Sequence, residues 1–182
     1  MSEFDEEDLH VKKRSGKLEA VSFDKILDRV KKIGEEVNLT QVKYSALVMK
    51  IIDQLYSGIE TSKIDELTSE QCASLTTVSY EYGILASRVA ISNHHKNTSK
   101  SIKETVEKLW SFNDVHGNRS PIISEEYYNL VMKHSEVLDN VINYDRDYSF
   151  DYFGFKTLER AYLLRKDKIV VERPQHMWMR VA

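Results

Sequence analysis

The chain holds one cysteine, two prolines and six glycines in 182 residues. A single thiol, Cys72, excludes an internal disulfide and a cysteine-built zinc site, and it suits a reducing compartment. So little proline and glycine points to mostly regular structure, rich in helix. No apolar run approaches the ~20 residues that span a bilayer. The acidic start has none of the basic and apolar segments of a signal peptide. A cytoplasmic protein with no membrane contact is expected. The mild overall charge leaves no nucleic-acid footprint, and no internal repeat or low-complexity tract is present.

What is present is an ordinary globular composition, with 41% hydrophobic and 30% charged residues and enough length for one or two domains. The formal charge of −3 conceals an asymmetry. Five acids, Glu3, Asp5, Glu6, Glu7 and Asp8, crowd the start. Setting them aside moves the formal charge from −3 to +2. Residues 1–9 are therefore expected to be a disordered acidic leader.

The run from Val11 to Ile26 is the most informative stretch. Ser15-Gly16 joins two short segments, Val11–Arg14 and Lys17–Val21, as the tight link of a hairpin would. Alternation over Lys17–Val21 predicts Leu18 and Ala20 on one face and Lys17 and Glu19 on the other. Helical period follows in Phe23, Ile26, Leu27, Val30 and Ile33, with Ser22 or Asp24 as the cap. Lys12, Lys13, Arg14, Lys17 and Lys25 gather positive charge around that helix start, where free backbone N–H groups already favour anions. A solvated basic hairpin is the plainer alternative.

Further helices are expected over Val42–Leu55, closed by Gly58 as C′ residue, from Ser62 to about Thr77, and from about Tyr80 to Asn97. Ser62-Lys-Ile-Asp65 resembles a capping box with Asp in place of Glu. Residues 10–98 thus make one compact unit of a hairpin and four helices. Cys72 is expected to be a packed small residue. Beyond it, Ser101–Phe112 is an amphipathic helix, residues 113–118 a loop, and Pro121–Ser135 again helical. Tyr144–Phe155 alternates in part, Leu163–Val171 is a hairpin turning at Lys166-Asp-Lys168, and Arg173–Ala182 opens an apolar segment at which the chain is expected to be cut short.

These segments together carry a resemblance. Val11-Lys-Lys-Arg-Ser-Gly-Lys17, Phe23-Asp-Lys-Ile26, Leu55-Tyr-Ser-Gly58 and Ile84-Leu-Ala-Ser-Arg-Val-Ala-Ile-Ser-Asn93 begin the set. His116-Gly-Asn-Arg-Ser-Pro121, Tyr144-Asp-Arg-Asp147, Tyr152-Phe-Gly-Phe-Lys-Thr-Leu-Glu-Arg160 and Glu172-Arg-Pro-Gln-His-Met177 complete it. In that order and spacing, the chain resembles the N-terminal part of the large, catalytic subunit of aerobic ribonucleotide reductases, of the eukaryotic or large-DNA-virus type. The resemblance implies a mainly α (α+β) fold. Residues 10–98 would be an ATP-cone of four helices with a β-hairpin cap. Residues 99–182 would be a helical segment leading into a ten-stranded α/β barrel, incomplete here.

The resemblance also implies function. An ATP-cone binds ATP as activator or dATP as inhibitor, with Mg2+ on the triphosphate. Its contacts would fall at Lys13 and Arg14, along Glu19, Ala20, Val21, Ser22, Phe23, Asp24 and Lys25, at Thr61 and Asp65, and at Lys96, with His10 nearby. The chemistry suits those residue types: cations for phosphates, Glu19 for the adenine amine, and Asp65 for sugar or base. Thr61 and Asp65, four apart, share a helix face. Each has a plainer alternative: Lys96 as a helix-end lysine, Thr61 as a cap, Asp65 as the capping-box acid. No metal site from protein side chains is expected, and adjacent His94 and His95 are read as non-ligands. Arg119, Tyr152, Arg160, Glu172, Arg173 and Gln175-His176 are expected to hold local structure.

Partners implied are the reductase small subunit and further large subunits, in nucleotide-dependent oligomers. The family's chemistry uses several cysteines, so this stretch alone is expected to be regulatory and inactive as a reductase. The alternatives are a stand-alone ATP-cone that mediates assembly without sensing, and a nucleotide-regulated repressor. The repressor is set aside because such proteins place a zinc ribbon before the cone, and the leader has no cysteine.

Overall fold

The computed structural model describes residues 9–182 and is mainly helical. The acidic leader, apart from its last residue, lies outside the described residues. The chain divides into two compact units, 1–93 and 94–182, each considered by itself below.

In the first unit, β1 (His10–Lys12) and β2 (Leu18–Ala20) pair antiparallel, with Val11 opposite Glu19. The turn between them is wider than two residues. Gly16 N–H donates to the Lys13 carbonyl and Lys13 N–H to the Lys17 carbonyl, both at 2.8 Å. Gly16 takes φ +83°, a left-handed conformation that glycine adopts without steric cost. A third strand, β3 (Ile59–Glu60), pairs parallel to β1, so the sheet order is β2-β1-β3. Two residues are too few to show alternation, which is why periodicity misses this strand.

Helix α1 (Phe23–Glu35) is capped by Ser22, whose Oγ accepts from Lys25 N–H at 3.3 Å; Asp24 sits in the first turn instead. Helix α2 (Tyr44–Ile52) is shorter than its apolar stripe predicts. It closes on Asp53, so Gly58 is not its C′ residue. Gly58 takes φ +83° and donates its N–H to the His10 carbonyl at 2.7 Å, which sets up β3. Helix α3 (Thr61–Ser74) follows at once, with Glu60 as N-cap and no side-chain capping bond. The expected Ser62–Asp65 capping box is absent because Ser62 already lies inside the helix. Helix α4 (Tyr80–Asn97) keeps its predicted bounds and runs across the division between the units. Val30, Ile33, Leu47, Val48, Ile51, Ile59, Leu85 and Val89 are buried, and α1 packs on α2 and α2 on α3. Cys72 is fully buried, as a packed small residue is, and burial pushes its thiol up to about 12.

In the second unit, α5 (Ile102–Trp110), capped by Ser101, packs on α6 (Glu125–Val141), which kinks at His134. Ile102, Val106, Leu109, Ile123, Val131 and Ile142 form its apolar core. The aromatic and acidic run is not a strand. Tyr144–Ser149 is a 3₁₀ turn and Tyr152–Ala161 is α7. A short antiparallel pair, β4 (Arg165–Lys166) and β5 (Ile169–Val170), turns through Asp167 and Lys168, both at positive φ. Helix α8 (Pro174–Val181) closes the described chain.

Three of the polar residues in question, Arg173, Glu172 and Arg119, make local contacts in this unit. Arg173 donates to the carbonyls of His95 and Thr98 at 2.8 and 2.9 Å and lies over the Tyr144 ring. Glu172 accepts from Arg180 and from Leu164 N–H. Arg119 stacks on Trp110. His94 Nε2 lies 3.1 Å from the Glu172 carbonyl, and His95 Nε2 lies 2.7 Å from Asp147, so the two neighbouring rings serve different partners.

Candidate functional site

Strand β2 carries the first sign of a site, because its polarity runs against burial. Leu18 is 60% exposed and Ala20 is exposed, while Glu19 between them is half-buried. The predicted alternation is present, but its apolar face points out. A strand that turns its carboxylate inward needs partners for it. Glu19 has two: Lys13 Nζ at 3.2 Å, from the hairpin turn, and Lys25 Nζ in closer contact, from the first turn of α1. Lys13 and Lys25 are substantially exposed, so each pair contributes about 0–1 kcal/mol and exchanges easily.

Asp65 makes the second centre. Helix α3 holds it 7% exposed. Arg29 Nη2 from α1 lies 3.3 Å from its Oδ2, and Arg14 Nη2 from the hairpin turn lies 3.7 Å from the same oxygen. Both arginines also reach α4. Arg29 Nη2 donates to Ser92 Oγ at 2.9 Å, and Arg14 Nη2 donates to Asn93 Oδ1 at 2.5 Å. The Asn93 amide donates in turn to the Ser62 carbonyl at 3.0 Å, which fixes its acceptor oxygen toward Arg14. Asp65 is therefore not a helix-capping acid.

Four cations, Lys13, Arg14, Lys25 and Arg29, thus meet two carboxylates, Glu19 and Asp65. Among these six side chains two positive charges are left over, beside the N-terminus of the 13-residue α1, whose first turn also carries Asp24. Backbone N–H groups of that first turn add to the positive field. The arrangement suits an anion with several oxygens.

The other expected positions divide clearly. Ala20, Val21, Ser22, Phe23 and Asp24 form the continuous passage from β2 into α1, tied by Val21 N–H to the Leu9 carbonyl at 2.7 Å. His10 is exposed on β1, opposite Ala20. Thr61 is the first residue of α3 rather than its cap, one turn before Asp65 and half-buried. Lys96 sits in the last turn of α4 and belongs to the second unit. Sequence reasoning missed Arg29, Ser92 and Asn93. The signals were there: Arg29 stands four residues after Lys25, hence on the same face, and Ser92-Asn93 marks where the apolar stretch of α4 gives way to polar residues.

The donor set does not suit a protein-held cation. Both site carboxylates already face basic side chains, and no group of three or more His, Cys, Asp or Glu residues gathers at metal-binding distance among the described residues. Also among the described residues, no helix is long and apolar enough to cross a membrane.

Comparison with known proteins bears on the same segments. Residues 9–97 match the ATP cone domain, and residues 148–182 match the ribonucleotide reductase all-alpha domain. The chain is 46% identical over 174 residues to the ribonucleoside-diphosphate reductase large subunit of Caenorhabditis elegans, covering 95% of this chain and 22% of that protein. It is 45% identical to large chain 2 of the Saccharomyces cerevisiae enzyme (96% of this chain, 20% of that one) and 45% identical to the large subunit of Monkeypox virus (96% and 23%). It therefore spans about a fifth of the length of these relatives.

Proposed function

The chain belongs to the family of ribonucleoside-diphosphate reductase large subunits, and from that we propose that residues 10–98 are its nucleotide sensor, binding ATP or dATP and passing their balance on as an allosteric signal. The observation that carries this reading is the set of four cations around Glu19 and Asp65. Lys13, Arg14 and Lys25 would take the triphosphate, aided by the first-turn amides of α1. Glu19 would accept from the adenine amine, and the lysines that hold it are exposed enough to turn to phosphate. Thr61 and Asp65 would meet the sugar. The resemblance extends the phosphate role to Lys96 and places His10 nearby. Mg2+ would ride on the triphosphate oxygens rather than on protein ligands.

ATP and dATP differ by one hydroxyl, so discrimination rests on one hydrogen bond and the adjustments around it. A coupling of ~1–3 kcal/mol is enough for useful regulation. In the whole protein the output would be a change in assembly with the small subunit and with other large subunits, in the cytoplasm. The reduction of ribonucleoside diphosphates for DNA synthesis would proceed in the ten-stranded barrel expected after residues 99–182. Reduction is not a task for this stretch itself: its one thiol, Cys72, is fully buried and held protonated.

Isothermal titration of the 182-residue chain with ATP and dATP tests the proposal. Saturable heat is expected with both. A folded sample giving none at millimolar nucleotide overturns it.

A further inference from the structure

Arg29 occupies an expensive position. Its guanidinium is largely withdrawn from water, with its side chain 25% exposed, and its Nε–H is buried with no hydrogen-bond partner. A buried donor left unmade is a net cost to folding. The same guanidinium spends its Nη2 twice, on Asp65 Oδ2 at 3.3 Å and on Ser92 Oγ at 2.9 Å. Arg29 is thus fixed from behind by α4 and aimed at one carboxylate oxygen. Arg14 reaches that oxygen as well, but from the hairpin turn, at 3.7 Å and with a more exposed side chain. Arg29 holds that oxygen from the long helix, alongside Arg14 from the turn.

We infer that Arg29 is a positioning residue for nucleotide choice: held by Ser92, it orients the Asp65 carboxylate against the sugar and so sets the ratio of ATP to dATP affinity. The inference rests on the nucleotide-sensing reading above and deepens it. An acceptor discriminates a hydroxyl from a hydrogen only if it is already in place. A carboxylate free to rotate loses entropy when it fixes on the hydroxyl of ATP and keeps it with dATP, so it distinguishes the two less. Lysine is not equivalent, because its ammonium rotates on a flexible stem, whereas the planar guanidinium presents the two hydrogens of Nη2 to Asp65 and Ser92 in fixed directions.

The test is titration of the 182-residue chain with ATP and with dATP, for wild type, Arg29→Gln, Arg29→Lys, Asp65→Asn and the Arg29→Gln/Asp65→Asn pair, with thermal unfolding recorded for each. Wild type binding neither nucleotide refutes the sensor itself. Given binding, Asp65→Asn is expected to change the affinity ratio at least threefold. Arg29→Gln should change it in the same direction, and the double variant should change it no further than Asp65→Asn alone. Arg29→Lys, the gentler variant for folding, should fail to restore the wild-type ratio. Ser92→Ala should shift the ratio the same way by a smaller factor. An unchanged ratio in Arg29→Lys or Arg29→Gln, fully additive effects in the double variant, or an Asp65→Asn ratio equal to wild type would each overturn the inference. A loss of stability alone, with the ratio intact, would mark Arg29 as merely structural and overturn it too.

Discussion

The imidazole of His176 and the phenol of Tyr144 share a hydrogen bond of 2.6 Å, and its direction follows from their neighbours. His176 Nδ1 faces the Arg173 N–H at 3.5 Å and so acts as acceptor. The neutral ring therefore carries its proton on Nε2 and donates to Tyr144, whose own hydroxyl passes on to the Lys100 carbonyl. A second proton on Nδ1 would confront an N–H already there.

That relay predicts an acid-sensitive second unit. Burial first, and then the Arg173 charge, push His176 down to about 4. The unfolded imidazole titrates near 6.5. Below that pH the unfolded chain binds the extra proton and the folded chain does not. Stability is thus fully present above about 6.5 and is lost as pH falls toward 4, by up to about 3 kcal/mol. Glu159 adds a lower step. Burial pushes its carboxyl up, but hydrogen bonds from His94 and Lys156 outweigh that and hold it at about 2. Its contribution is lost as pH falls from about 4.5 toward 2. Denaturant unfolding between pH 7.5 and 4 should show the first slope, and His176→Asn should flatten it.

Asp147 is fully buried between His95, at 2.7 Å, and the Gln175 amide, at 2.9 Å. Asp147→Ala would leave both donors without an acceptor. A destabilisation of about 3 kcal/mol is expected, read as a fall in the denaturant midpoint with an unchanged slope.

Cys72 should be silent to thiol reagents in the folded chain. A thiol held near 12 is ionised to only about one part in ten thousand at pH 8. Reaction with an aromatic disulfide reagent should proceed at the rate of unfolding and accelerate with denaturant. A rapid stoichiometric reaction in buffer would contradict the packing of α3.

Gly34, on the last turn of α1, has a rigid neighbour. A Cβ there would stand 2.0 Å from the Tyr44 hydroxyl, which donates to the Leu39 carbonyl at 3.2 Å. Gly34→Ala, a change that favours helix elsewhere, should here cost about 1–3 kcal/mol. Tyr44→Phe/Gly34→Ala should recover part of that loss.

Much of this architecture was legible in the residues. Long periodic segments gave α1 and α4 because their stripes are several turns deep, and the cap of α1 is narrowed to Ser22 or Asp24, of which Ser22 is the one used. The turn at Asp167-Lys168 fell inside its predicted hairpin. Short elements were not legible: β3 has two residues, and the 3₁₀ turn at Tyr144–Ser149 mimicked alternation. At the candidate site, Lys13, Arg14, Glu19, Lys25 and Asp65 come together, whereas Arg29 was hidden as one more cation on a helix. Which way β2 faces could not be read locally either. Leu18 outward and Glu19 inward is decided by the lysines waiting for Glu19, and those come from other elements.

The parallel register of β1 with β3 has a consequence for how the molecule comes into being. Val11 meets Ile59 and Lys12 meets Glu60, so one edge of the middle strand waits for partners 48 residues downstream, although its other edge pairs with β2 close by. Closing so long a loop is slow and entropically costly compared with winding α1 or α2. On the ribosome, the contact of β1 with β3 would be among the last of this sheet to settle. A nascent chain that has emerged only through α2 would carry the hairpin cations without the α3 carboxylate that gathers Arg14 and Arg29, so this corner of the molecule matures only once α3 has followed.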